Sequence, residues 1–362
     1  MSKNPTTTKA PLTTKPGPLA SIRSLAKRIT RGMPAVGQTP YTVVWSENKW
    51  RLLRFRNTTG AAPKYATPIL LVPSLINRWY VLDLAPGRSL IEWLVAQGHD
   101  VFIIDWGTPT DEDRFLTWDD ICGRYVGRAV RQTAKFSRDG VAHVLGYCLG
   151  GTLAVNYTAA FPEHVASLVA LAAPIDFAAA GMMTLWTRTP TFDVQAMTDG
   201  FGNLPWPIMQ ASFQMLKPTM NAGKVMSLLD RAWDDEFLDG FLATERWGND
   251  NVSFPGACYR DYIEQLYRRN ALLEGTMTLC GKPALLKNID CPLLSISFTH
   301  DHIVPPAAAN ALLDAVASPD KAKLELGGGH VGAVVSKKAA TGLWPKMSAW
   351  WADRDSNEAR GL

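Results

Sequence analysis

The chain has 362 residues, room for one large α/β domain carrying an insertion. Apolar residues make up 47% and charged residues 19%, the balance of a globular chain that can bury a sizeable core. The formal net charge of +4 is uneven: Lys3, Lys9, Lys15, Arg23, Lys27, Arg28 and Arg31 stand in a stretch without acidic residues, which leaves the body about neutral and gives nucleic-acid binding no compositional support.

Residues 1–39 read as a basic leader. The first eighteen, rich in Thr, Pro and Lys, are expected to be disordered. "LASIRSLAKRI" then puts Leu19, Ile22, Leu25, Ala26 and Ile29 on one helical face, with Arg23, Lys27 and Arg28 largely opposite. Such a helix can lie on an anionic or lipid-like surface or dock on the body as a solvated tail; nothing else in the chain supports an organellar presequence.

From position 40 short strands alternate with helices. "YTVVW" and "WRLLRFR" form a hairpin, and "PILLVP" is a buried strand. "SLIEWLVAQG" is a helix closed by Gly98, and "DVFIIDW" the next strand. Thr117 can cap a helix over "WDDICGRYVGRAVRQTAKFS". "VAHVLGY" is a strand, "TLAVNYTAAFP" a helix and "VASLVALAAP" another buried strand. Even the near-continuous apolar run from Val165 to Ile175 is far too short to cross a membrane. Continuous Val, Ile and Leu runs separated by helices predict a mostly parallel sheet covered on both faces.

The rhythm breaks over 175–290, which holds 14 aromatic residues and eight of the 11 methionines but few strand runs. A mainly helical cap inserted into a core of 40–174 and 291–362 accounts for it. Its aromatics and thioethers suit ordinary packing, and equally an adaptable apolar lid. The core then resumes with "CPLLSISFTHD", a helix over "PPAAANALLDAVA", "KLELGGGH" and a last helix ending near Trp351.

Chemistry gathers at "HVLGYCLGG". Gly146-Tyr147-Cys148-Leu149-Gly150 has the spacing of a nucleophile elbow, a strand that turns sharply into a helix. The turn strains its central residue, and flanking residues without bulk let neighbouring backbone pass. The helix N-terminus favours a thiolate and a developing oxyanion, with the Leu149 N–H as first donor. Cys122, Cys148, Cys258, Cys280 and Cys291 are odd in number and scattered without a CxxC pair, against a disulfide framework or a zinc knuckle and in keeping with a reducing cytoplasm.

The acid and the histidine should follow on loops after later strands. Asp301 follows "LLSISFTH", and His330 stands in a glycine-rich loop after "LEL". His99, His143 and His164 sit within or beside structural elements, so His330 is the base and Asp301 the carboxylate that orients it. His300-Asp301-His302 has no distant third ligand, so no metal is expected. His302 lines the pocket or packs beside the triad, and Tyr147 is a second pocket candidate. The expected fold is an α/β hydrolase.

Five stretches, "PSLINRWYVLDL", "SLIEWLVAQGHDVFIIDWGTP", "GYCLGGTLA", "THDHIVPP" and "GGGHVGAVVS", resemble the polyhydroxyalkanoate synthases, across roughly positions 40–352. The resemblance implies Cys148, Asp301 and His330 as catalytic residues and the Ile76 N–H as second oxyanion donor. It implies (R)-3-hydroxyacyl-coenzyme A as substrate, a growing polyester as product, no cofactor, a homodimer, and a cytoplasmic location at the granule surface. The short chain and "DWGTPTDEDRFLTWDDI" look like the class III and IV type, whose catalytic subunit works with a second protein; the basic leader departs from that pattern. Sulfur suits this chemistry, because attack on a thioester yields another thioester of similar reactivity. A cysteine-dependent thioesterase or intracellular polyester depolymerase would use the same scaffold. A non-catalytic granule-surface protein is the alternative of another class.

Overall fold

The computed structural model describes residues 32–57, 60–218 and 220–358, so the amphipathic helix expected after Leu19 lies outside the described residues. β1 (Tyr41–Glu47) and β2 (Trp50–Phe55) form the opening hairpin. β3 (Ile69–Val72), β4 (Val101–Asp105), β5 (Ala142–Tyr147) and β6 (Val165–Leu171) follow. β7 (Thr278–Leu279) and β8 (Lys282–Pro283) make a small separate hairpin, before β9 (Leu293–Phe298) and β10 (Lys321–Leu326). Eight strands join in the order β1-β2-β4-β3-β5-β6-β9-β10. β1 and β2 are antiparallel to their neighbours, and the rest run parallel.

Every residue of β3, β4 and β5 is buried, because both faces are covered. Alternate side chains go opposite ways: Leu70 and Val72 enter one apolar cluster, Ile69 and Leu71 the other. Helices α1 (Leu90–Ala96), α2 (Gly127–Ala134) and α3 (Leu149–Ala160) cover the sheet, and all twelve residues of α3 are buried. The strand order reverses beside β3, since β4 lies on one side of it and β5 on the other. Open α/β sheets form their crevice at the carboxyl ends of strands at such a point.

Two helices differ from the sequence expectation. Thr117 does cap as expected, its hydroxyl accepting from the Asp120 N–H at 3.2 Å. The chain then opens as a π-helix over Asp119–Val126 and becomes α-helical only at Gly127. Tertiary partners hold its start: Trp118 donates from Nε1 to Asn156 Oδ1 at 2.7 Å and from its backbone to Asp261 Oδ2 at 3.0 Å. The last helix runs from Lys337 to Glu358, past Trp351.

Between β6 and β9 the chain is mainly helical, with α4 (Met182–Thr187), α5 (Val194–Phe201), α6 (Trp206–Met215), α7 (Met220–Arg231), α8 (Asp235–Gly248), α9 (Gly256–Asp261) and a π-helix over Tyr262–Arg268. Asp193 and Asp234 cap α5 and α8 by accepting from the Ala196 and Phe237 N–H groups. Among the described residues no helix is long and apolar enough to cross a membrane.

At the opposite end of the sheet lie two buried histidines. His99 Nε2 pairs with Ser348 Oγ at 2.8 Å and His143 Nδ1 with Ser167 Oγ at 2.7 Å, and both rings face Trp351. Burial lowers His99 to about 4 and His143 to about 3. Both protonate more readily when the chain unfolds. Their stabilising contribution is therefore complete above the ordinary histidine value and is lost as pH falls from there toward 4 and 3. Each should cost about 1.4 kcal/mol per pH unit in that window. Urea unfolding at pH 7 and pH 5 checks this, with His143→Gln expected to flatten the slope.

Candidate active site

The strand-to-helix turn places Cys148 at φ 57° and ψ −129°, a region L residues rarely adopt. The strain is held from several sides. The Cys148 N–H donates to Leu171 O at 3.0 Å, and its carbonyl accepts from Gly151 at 2.8 Å. A Cβ on Gly146 would come within 2.5 Å of Gly150 O, and one on Gly150 would collide with the carbonyls of Val72 and Pro73. Gly150 thus lets the loop after β3 lie directly on the start of α3. Gly150→Ala is expected to cost about 1–3 kcal/mol of stability and to push residues 73–76 away. Thermal unfolding and hydrogen exchange at those residues measure both effects.

Asp301 and His330 meet because β9 and β10 are parallel with Phe298 opposite Leu326, so the loops leave the sheet side by side. Thr299 and His300 then donate to Leu326 O and Gly328 O, each at 3.0 Å. Asp301 Oδ2 lies 2.6 Å from His330 Nδ1, with both side chains buried. Its other oxygen accepts from Ile303 and Val304 N–H at 2.9 and 2.8 Å, which fixes the carboxylate plane. His330 Nε2 is buried and has no partner among the described residues. Burial alone would lower this imidazole; the Cys148 charge and the Asp301 hydrogen bond outweigh it and hold His330 up at about 10. An imidazole oriented by a carboxylate beside a half-buried thiol is an arrangement that can support nucleophilic catalysis.

Tyr147, a pocket candidate from sequence, is buried under the imidazole. Its ring stacks on His330 at 5.3 Å between centroids, and its hydroxyl donates to the His330 carbonyl at 3.0 Å. Burial, then the Cys148 and Asp301 charges, push this phenol well above its ordinary value, so it stays a donor. No sequence signal marked that contact, which joins residues 183 positions apart. His302 is exposed, with Nε2 3.3 Å from Lys217 Nζ, and faces the helical insertion. Ile76 and Leu149 share one apolar cluster, and neither N–H donates to an acceptor among the described residues.

An eight-stranded, mostly parallel sheet with a strained strand-to-helix turn at Cys148 after its fifth strand defines an α/β hydrolase fold. The sequence profile of that fold matches residues 67–335, and that of the poly-beta-hydroxybutyrate polymerase (PhaC) N-terminus matches residues 24–94. The chain belongs to the poly(3-hydroxyalkanoate) polymerase family. It is 37% identical to the polymerase subunit PhaC of Haloferax mediterranei, covering 88% of this chain and 65% of that one. It is 35% identical to the subunit of Allochromatium vinosum, covering 88% of this chain and 90% of that one. The solved structure of mouse alpha/beta hydrolase domain-containing protein 10 shares the fold, with a TM-score of 0.51 at 17% identity over 87% of this chain and 99% of that one.

Proposed function

We propose that the chain polymerises (R)-3-hydroxyacyl-coenzyme A through a thioester on Cys148. The observation that carries this reading is the buried Asp301–His330 pair, 2.6 Å apart, whose second ring nitrogen is taken by no other partner among the described residues, with Cys148 close enough to act on the ring. The Cys148 thiolate attacks the acyl carbonyl, the Leu149 and Ile76 N–H groups receive the oxyanion, and coenzyme A departs with the proton from His330. With its proton passed to the departing coenzyme A, the neutral imidazole can act as a base. It takes the 3-hydroxyl proton of a second acyl group, whose oxygen attacks the Cys148 thioester. An ester bond forms and the thiolate is restored. No cofactor is needed.

Water would divert the same intermediate to free acid. Residues 175–290 form the cap that excludes it over a core of 40–174 and 291–362. An aromatic cluster supports that role: Tyr267 packs on Phe177 at 4.9 Å and on Tyr262 at 5.3 Å. Burial, and at Tyr262 the neighbouring Tyr267 as well, raises both phenols, Tyr267 to about 12, as expected of an apolar wall. Met182, Leu185, Met215, Met226 and Leu229 are exposed on the cap helices. They offer apolar surface to a growing polyester at a cytoplasmic granule, to a second copy in a homodimer or to a partner subunit.

The test supplies 3-hydroxybutyryl-coenzyme A to the purified chain, with and without a candidate partner subunit. Coenzyme A release with insoluble polymer is expected. Free acid alone would mean a thioesterase, and an unacylated Cys148 would mean a non-catalytic granule protein.

A further inference from the structure

We infer that Asp250 and Asn251 are positioning residues that hold the Ile76 N–H in place, so that the oxyanion site is complete only while the cap is seated. The inference rests on the acyl-transfer reading above. The loop after β3 is poorly held by its own backbone. Its internal bonds, Asn77 N–H to Ser74 O and Val81 N–H to Arg78 O, are both long at 3.4 Å.

Its firm partners come mostly from the end of α8 and the turn after it, while Arg78 Nη1 also donates to Gly107 O at 3.2 Å and to Thr108 Oγ1 at 3.0 Å in the core. Asn77 Nδ2 donates to Asn251 Oδ1 at 2.5 Å, and Val252 N–H donates to the Ile76 carbonyl at 3.2 Å. Asp250 accepts from Arg78 Nε at 3.1 Å and from the Tyr80 hydroxyl at 2.6 Å. Trp247 Nε1 donates to Arg78 O at 3.0 Å. Asn251 is held in turn, its Nδ2 donating to Gln210 Oε1 at 2.7 Å and to Gly248 O at 2.9 Å.

At its other end the loop is pinned by Trp106 Nε1 on Pro73 O at 3.0 Å, and by Gly150. Residues 74–78 thus bridge a fixed sheet edge and the cap. If the cap lifts, Ile76 shifts with it, and a shift of about 1 Å at a catalytic donor costs on the order of 100-fold in rate. The device would disarm Cys148 whenever water can enter.

The test compares wild type with Asp250→Ala, Asn251→Ala, Asn77→Ala and the double variant Asn77→Ala/Asn251→Ala in the full chain. Hydrogen exchange over residues 74–78 is expected to speed up in each variant while residues 327–331 keep their protection. Single-turnover release of coenzyme A from 3-hydroxybutyryl-coenzyme A should slow about 10- to 100-fold with KM nearly unchanged. The double variant should be no slower than the slower single one. Tyr80→Phe, which removes one hydroxyl, should give a smaller loss of the same kind even if the alanine variants fold poorly. Unchanged exchange at 74–78, losses that lie in KM, or losses that multiply in the double variant would each overturn the proposal. Failure of wild type to release coenzyme A would overturn the acyl-transfer reading and the catalytic role given to the strap, whereas the exchange response reports on the strap alone.

Discussion

Cys148→Ala is expected to abolish turnover, with coenzyme A release falling by a factor on the order of 10⁶, as when a triad nucleophile is removed elsewhere. No neighbour can substitute. Cys122 and Cys258 are buried, with thiols raised well above their usual value by that burial. Cys280 and Cys291 are raised by burial too. Cys148→Ser should leave a weak remnant at most, for two reasons. A hydroxyl is harder to ionise, and an oxygen ester lies well downhill of the incoming thioester, so the second transfer loses its driving force. Mass spectrometry of the acylated chain and the yield of polymer check both variants. Normal turnover in Cys148→Ala would end the proposed mechanism.

Asp301→Asn should separate the two halves of the cycle. The amide can still accept from Ile303 and Val304, so the loop is expected to keep its shape. Its NH₂ then faces His330 Nδ1, where Oδ2 now accepts at 2.6 Å. The ring proton moves to Nε2, and Nε2 can no longer take a proton from a 3-hydroxyl. Elongation should fall about 10⁴-fold, the loss seen when a triad imidazole is held in the wrong tautomer. Acylation of Cys148 should persist, because a cysteine keeps some thiolate near neutral pH without a base. The expected product is a chain that carries an acyl group and releases little polymer. Polymer formation within tenfold of wild type would show that Asp301 does not set the tautomer.

Much of this was legible before any fold was known. Unbroken apolar runs such as "ILLV" and "VFIID" announced strands covered on both faces, and both are buried throughout. The small residues around Cys148 announced the sharp turn: a Cβ on Gly150 would strike the carbonyls of Val72 and Pro73, and one on Gly146 the backbone of Gly150 and Gly151. Such features depend on local spacing along the chain, where strand and helix periods act directly. The π-helical start after Trp118 was not legible, because its cause is Asn156 and Asp261, brought there by packing. The chain alone determined the sheet, the elbow and the order of acid and histidine. Only tertiary structure decided that Tyr147 would brace the imidazole and that residues 247–252 would strap the loop of Ile76. Those partners lie about 170 or more positions apart, and no local rule of spacing links residues that meet only when separate elements dock.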